Sequence, residues 1–564
     1  MKTINSLRWR TELSFAVGMV VVLLCATVGA AAQTYVSLFN YPDTTSNTSG
    51  IAAPQLMTQG VDGNLYSTIN SDGTHNSGTA YRMTTTGTPT AIYNFCALPS
   101  CADGAFPGGG LTLGVDGNLY GTTATFINSG TVFKLTPTGT LSTLWKFTGG
   151  GTGTDEGGPI YTVLQGQDGN FYGVNNGTFS GVFGVFFKLT PKGKLTASSF
   201  NFTNGAFPNL PTQGLDGNFY GTTQSGGDAT CRCGVVYKVT PAGKISVLHK
   251  FTGFVSSTNF DGTRPIGVLV QGNDGNLYGT TFQGGANNLG TVFKISTSGT
   301  NYSLVHSFNF TSTDRDGIEP EAGLTLGTDG NFYGTTVFGG QNDLGTIFQI
   351  TPTGGETVEY SFCAAVNCPV GFAPTTSLIQ HTNGKFYGNT SGNSLGGSVF
   401  YSFDMGLPPF GRSLSGAGKV GAVVGFLGEG LTSAANVSFN GIPATFKIVS
   451  DTFLTATVPV GALTGVVKIL TSGGTLLSSH SFKVLPAIKT ITPSGPVGSA
   501  VVITGSGLTQ TTKVMFSGGK AAVFTVNNDG QITATVPTGA KTGHIVLTTP
   551  GGTASSPTSF TVTP

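Results

Sequence analysis

The sequence predicts an all-β protein, a seven-bladed β-propeller followed by two immunoglobulin-like β-sandwiches, and three observations carry that expectation. The segment Gly-x-Asp-Gly-Asn-[Leu/Phe]-Tyr recurs with Asp at 62, 116, 168, 216, 274 and 329, and a degenerate copy follows at Asn383-Gly384-Lys385-Phe386-Tyr387. A strand-like segment, Tyr35-Val36-Ser37-Leu38-Phe39, precedes the first copy, while the last copy lacks its final strand. Residues 411–486 and 487–564 then align with each other.

Each repeat parses into four strands. In the clearest copy these are residues 111–114, 119–123, 131–135 and 141–147. Asp116-Gly117-Asn118 and Pro137-Thr138-Gly139 separate the strands as tight turns, because these residues tolerate turn dihedrals. Four strands in a period of about 50 residues match one propeller blade. The last copy offers strands at 376–380, 386–389 and 398–403 and none before Pro408-Pro409. The orphan first strand is therefore expected to complete the last blade, which removes the exposed edges of an open sheet.

Composition agrees. The chain has 564 residues, 88 of them Gly, with 9% charged and 38% hydrophobic side chains and a net charge of +1. Short strands joined by Gly-rich turns give such figures, and the length calls for several domains. The near-neutral charge argues against nucleic acid and against electrostatic membrane docking. Residues 1–32 read as a signal peptide, with Lys2, Arg8 and Arg10 before an apolar core at 15–28 and small residues Ala30-Ala31-Ala32 before Gln33. Cys25 falls within that segment, and no later run suggests a membrane span after cleavage.

Six cysteines remain: Cys96 with Cys101, Cys231 with Cys233, and Cys363 with Cys368. Local pairing in an exported chain implies disulfides. A Cys231–Cys233 bridge needs a bent backbone, since two extended residues span about 6.6 Å, and whether it forms stays open.

The blocks Asp-Gly-Asn-Leu-Tyr-Gly-Thr-Thr and Gly-Thr-Val-Phe-Lys-Leu-Thr-Pro resemble the Gloeo/Verruco (GloVer) tandem repeats of exported bacterial proteins, over roughly residues 34–405. That resemblance implies an extracellular location and brings no catalytic residues. In the C-terminal pair, Val437-Ser438-Phe439-Asn440-Gly441 matches Val514-Met515-Phe516-Ser517-Gly518, and Thr455 to Pro459 matches Thr533 to Pro537. Ile491-Thr492-Pro493-Ser494-Gly495-Pro496 followed by Gly505-Ser506-Gly507-Leu508 resembles the IPT/TIG domain family. The expected domains are the signal peptide 1–32, the propeller 33–406, and sandwiches at 407–486 and 487–564.

Turn lengths separate the propeller faces. The a–b and c–d turns are short and alike, whereas the b–c and d–a connections are long, variable and on one face. Function usually sits on variable loops over a rigid scaffold. The d–a loops share Asp-Gly-x-x-Pro, so Asp103, Asp261, Asp316 and Glu319, with His75 from a b–c loop, are the candidate ligand-binding residues. Acids there could meet a cation or sugar hydroxyls, but the motif reads first as an Asx turn leading into a Pro-fixed strand, because it tracks blade geometry and loses its acid in some copies without losing Gly and Pro. The Lys/Arg column (Arg82, Lys134, Lys188, Lys238, Lys294) reads as snorkelling, and the once-per-blade Tyr column as packing. His249 and His306 read as fillers of outer strands, and Gly392-Asn393-Ser394-Leu395-Gly396 as a Gly-rich loop, because a nucleophile elbow needs a following helix.

No catalytic or metal-ligating set is expected and no cofactor, calcium being the one cation to consider, without a specific motif. The expected function is a secreted or cell-surface, non-catalytic binding protein whose partner is an extracellular glycan or protein. Two alternatives stand beside it. One is a propeller enzyme, since Asp-Gly-Asn-Leu-Tyr is similar to the repeats of streptogramin-lyase-type propellers; the other is a purely structural envelope or matrix protein.

Overall fold

The computed structural model describes residues 33–41, 56–124, 130–147, 161–175, 183–253, 261–311, 315–363, 368, 370–392 and 397–564. The expected signal peptide and residues 393–396 of the Gly-rich loop lie outside them. Among the described residues the fold is all-β, with two short 3-10 turns at Pro99–Cys101 and Leu431–Ser433. Among the described residues no helix is long and apolar enough to cross a membrane.

Besides a two-stranded pair of Gly317–Ile318 with Phe338–Gly339, the repeat region among the described residues holds seven four-stranded antiparallel meanders, one of them with an extra short strand. The second is typical: Thr112–Leu113, Leu119–Ala124, Gly130–Leu135 and Leu141–Phe147 pair in sequence order. Gly117 and Gly139 take φ of 76° and 95°, which a side chain would resist, and so close its two hairpins. The middle strands are buried on both faces, whereas Leu141–Phe147 is only partly covered, which makes it the outermost strand. Its first strand is shorter than the 111–114 expected, because Gly114 already bonds Asn118 across the turn and Leu111 enters the apolar layer between sheets.

The seventh sheet is assembled from both ends of the region. Ile379–Gln380, Phe386–Asn389 and Val399–Asp404 supply three strands, and Thr34–Asn40 lies antiparallel to Val399–Asp404 as the fourth. Tyr35 fixes it there, stacked on Tyr360 at 4.3 Å, with its hydroxyl donating to the Val370 carbonyl at 2.5 Å.

Packing runs from sheet to sheet rather than through one core. Tyr66 and Phe95 of the first sheet meet Leu119 and Phe133 of the second; Tyr120 and Phe147 meet Phe171 and Phe187 of the third. The pattern repeats to the junction of sixth and seventh, where Tyr333 and Phe362 meet Phe386 and Tyr401. One further cluster joins Tyr387 and Phe400 of the seventh sheet to Leu65 and Tyr81 of the first, so the succession of contacts returns to its start. A polar ladder follows the same path. The side-chain oxygens of Gln165, Gln213, Gln271 and Gln380 each accept a backbone N–H from the preceding sheet's first turn, at 2.8–3.1 Å. Gln59 of the first sheet accepts from Thr382 of the seventh at 3.1 Å.

The C-terminal part holds two units of the same strand order. Each has two four-stranded sheets and one parallel two-stranded pair, Ala417–Lys419 with Lys483–Leu485 and Ser494–Pro496 with Thr561–Thr563. Separate apolar cores fill them, around Phe426, Phe439 and Phe482 in the first and Ile503, Phe516 and Phe560 in the second. The first unit rests on the short a–b turns of the repeat region. Phe410 donates to the Thr382 carbonyl at 2.9 Å, Thr452 to the Val61 carbonyl at 2.9 Å, and Lys483 to the Leu215 carbonyl. These turns belong to the seventh, first and fourth sheets, so the unit spans the ring of turns from one side to the other.

Candidate functional site

The Asp of each a–b turn is a junction of hydrogen bonds rather than a ligand group. Asp116 accepts from the Asn118 backbone at 3.1 Å, the Asn118 amide at 2.8 Å, the Tyr120 hydroxyl at 2.8 Å and Lys134 at 2.8 Å. Burial alone would raise its pKa, but the bonds from Lys134, Asn118 and Tyr120 outweigh it and hold the carboxyl at about 2. Asp168 with Lys188 (3.1 Å) and Asp216 with Lys238 (3.3 Å) repeat the arrangement. The basic and tyrosine columns are thus two arms of one turn lock, which corrects the snorkelling reading. Lys294 departs from the pattern and donates to the Pro352 carbonyl.

Asp103, Asp261 and Asp316 occupy one equivalent place, under the d–a loops and against the outermost strand. Asp103 is 1% exposed and accepts from the Tyr93 hydroxyl at 2.7 Å and from the Ala97 and Leu98 backbones at 3.0 and 3.1 Å. Asp261 lies 2.9 Å from His249 Nε2 and accepts from Thr252 N and Oγ1 at 3.0 and 2.9 Å. Asp316, 5% exposed, lies 2.9 Å from His306 Nε2 and accepts from Asn309 N at 3.2 Å. Asn204 does the same work in the fourth sheet through its amide oxygen, accepting from Asn201 N at 2.7 Å. His249 and His306 are therefore loop-anchoring partners, a role the sequence reading missed.

One junction adds a third ligand-type group. His306, Asp316 and Glu356 bring a ring nitrogen and two carboxylate oxygens within 4.8 Å of one another, a donor set that suits a divalent transition metal. In the preceding sheet Tyr302 stands where Glu356 does, stacked on His249 at 3.8 Å. His75 is exposed on the loop face; its carbonyl accepts from Ser77 at 3.0 Å, and it does not join these clusters.

The loop tips show a second regularity. Phe106, Phe207, Arg264, Glu319 and Ala373 each precede a Pro and each have positive φ, 55°, 58°, 51°, 58° and 52°. Their N–H groups donate to carbonyls of the preceding sheet, at Ser77, Phe183, Cys233, Leu289 and Leu344, over 2.7–3.1 Å. The strained backbone is a tie between neighbouring sheets, and the side chain above it is free to differ. Arg264 lies over the Phe282 ring at 4.9 Å. Burial first, then the nearby Glu319, pushes the Glu321 carboxyl up, and Arg264 partly offsets both. Arg264, Phe282, Glu319 and Glu321 thus bring a cation, an aromatic ring and two carboxyls together on this face.

The six cysteines outside residues 1–32 lie in three pairs at disulfide distance, Cys96–Cys101, Cys231–Cys233 and Cys363–Cys368. Arg232, at φ 55°, supplies the bend that a Cys231–Cys233 bridge requires and brings the two Cα atoms to 5.1 Å.

Solved structures similar to parts of the chain include a surface glycan-binding protein from Prevotella bryantii (19% identity, 26% of this chain and 37% of that one, TM-score 0.20). A second such protein, from a complex xyloglucan utilization locus in Bacteroides uniformis, has 18% identity over 25% of this chain and 46% of that one, with a TM-score of 0.14. The chain thus spans less than half the length of either. Oligogalacturonate lyase from Vibrio parahaemolyticus has 10% identity over 66% of this chain and 97% of that one, with a TM-score of 0.40. Comparison with curated proteins finds no match. The Gloeobacter/Verrucomicrobia repeat model matches residues 27–196 and 159–401, more than half of the 564 residues, and the IPT/TIG domain model matches 486–562. The chain therefore belongs to the Gloeobacter/Verrucomicrobia repeat family and carries an IPT/TIG domain at its C-terminal end.

Proposed function

We propose that residues 33–406 close into a seven-bladed β-propeller and that the chain is a secreted or cell-surface, non-catalytic protein that binds carbohydrate on the face bearing the d–a and b–c loops. The observation that carries this reading is the set of five left-handed tips. One fixed backbone position recurs from loop to loop while its side chain changes among Phe106, Phe207, Arg264, Glu319 and Ala373. A rigid frame with variable groups is what a binding face requires. Aromatic rings suit the C–H faces of a sugar, and charged groups suit its hydroxyls. The first C-terminal unit sits on the opposite face, against the a–b turns, and so does not compete with a ligand for the loop face.

In this reading Arg264 and Glu319 touch the ligand, Asp103, Asp261 and Asp316 hold the loops in shape beneath it, and His75 stands at the rim. Residues 407–486 and 487–564 act as immunoglobulin-like spacers, and residues 1–32 direct export. The paired cysteines suit an oxidising compartment.

The test is binding of residues 33–564 to a broad glycan panel, with and without calcium. A specific glycan should bind, and Arg264→Ala with Glu319→Ala should weaken it by about tenfold or more. Absence of binding under both conditions, or a hit that this double variant leaves intact, would overturn the assignment.

A further inference from the structure

The first C-terminal unit does more than cover the turns. Between it and the inner strands of the repeat region lies a cavity of about 430 Å³, within the usual range of small-molecule pockets. Its inner wall comes from five sheets, through segments such as Thr58–Gln59, Thr112–Leu113 and Ile379–Gln380. Its floor comes from Phe410, Arg412, Leu414, Leu427, Ser479 and His480.

Arg412 is the unusual member. Its side chain lines the cavity and is only partly exposed, and desolvation pulls the guanidinium below its ordinary value. Among the described residues its side chain makes no hydrogen bond and no ion pair. Glu429 is engaged elsewhere, accepting from Thr382 at 2.7 Å and lying 3.6 Å from His381. An unpaired cation that is only partly hydrated is costly, and replacing it with an apolar residue should not destabilise the fold. Around it, Thr58, Thr112, Ser413 and Ser479 offer hydroxyls, while Leu269, Leu324 and Leu427 offer apolar surface.

We propose that this axial cavity is a binding site for a small sugar acid, whose carboxylate pairs with Arg412 while its hydroxyls meet the Ser and Thr side chains and its C–H face meets the leucines. A planar guanidinium matches a carboxylate in bidentate fashion. The site is separate from the loop face and stands or falls independently of it.

The test is isothermal titration of residues 33–564 with glucuronate, glucose and inorganic phosphate at constant ionic strength. Glucuronate should bind in one-to-one ratio, with glucose and phosphate each at least about tenfold weaker. Arg412→Met should lower glucuronate affinity by about ten- to a hundredfold, the worth of a charge-assisted pair. Its melting temperature without ligand should be equal to or above that of the parent, which shows that the fold is kept. Glucuronate binding that is absent, or unchanged in Arg412→Met, would overturn the site. Phosphate binding as tightly as glucuronate would overturn the sugar-acid assignment.

Discussion

Replacing Asp116 with Ala isolates the turn lock that recurs through the repeat region. The substitution removes four accepted hydrogen bonds, two from Asn118 and one each from Tyr120 and Lys134. Each is worth about 1 kcal/mol net, and bonds to a charged group somewhat more. The Asp116 and Lys134 side chains are 38% and 33% exposed, so solvent screens the ion pair and the charged premium is discounted. With the exposed ion pair counted near zero, the other three bonds sum to a loss of about 3 kcal/mol. Asp116→Asn keeps the shape but turns an amide N–H toward Tyr120 or Lys134, and should lose about 1–2 kcal/mol. The assay is built into the sequence. Of the two tryptophans, Trp9 falls in residues 1–32 and Trp145 lies in the same sheet as Asp116, so fluorescence of residues 33–564 in urea reports this sheet. A midpoint shift worth less than about 0.5 kcal/mol for Asp116→Ala would refute the reasoning and leave the turn to its backbone geometry alone.

Two other predictions concern the interfaces. Although His381 and Glu429 lie 3.6 Å apart, burial drives each toward its neutral form, His381 down to about 4 and Glu429 upward. The unfolded histidine therefore binds more protons than the folded one between about pH 6.5 and 4, so the His381 contribution to stability falls as pH drops through that window, and the raised Glu429, which acts in the opposite sense, offsets part of the fall. Melting temperature against pH should show that fall, and His381→Asn should flatten it. Gly109→Ala places a Cβ 1.9 Å from the Thr162 backbone nitrogen, so neighbouring sheets must part, at a cost of about 2 kcal/mol or more. Gly416→Ala, with nothing within 4 Å, serves as the control and should leave the melting temperature nearly unchanged.

Much of the architecture was legible because it is periodic. The Asp-Gly-Asn-Leu-Tyr block located the first hairpin of each sheet, and the outer strand 141–147 is observed with the bounds expected of it. The orphan strand at Tyr35 was readable only because its absence at the other end was visible too. What escaped was relational. The Asp, Tyr and Lys columns were each evident, but only the register that sets Tyr120 opposite Lys134 makes them one network. Gln165, Gln213, Gln271 and Gln380 precede the repeat motif at a fixed offset, yet their partners lie in the preceding sheet, about 50 residues away, and Leu113 and Leu326 interrupt the series. His249 and His306 looked like fillers because their acids come from the following loop. The left-handed tips gave no compositional sign, since Phe, Arg and Glu are not residues that advertise positive φ. Arg412 belongs to no repeat, and only the seating of the first C-terminal unit on the ring reveals its cavity.

The proposed binding face and the axial cavity both presuppose a ring closed by the first strand of the same chain. Val36 and Ser402 are direct partners across that closure. Opposed residues in an antiparallel pair stand about 4.5–5.5 Å apart at Cα, within disulfide reach. The double variant Val36→Cys with Ser402→Cys, oxidised and mapped by mass spectrometry, tests the closure most directly. The account predicts a new intrachain bridge in a monomer, with the three native pairs kept. Free thiols at both positions, or a bond formed only between two chains, would contradict it.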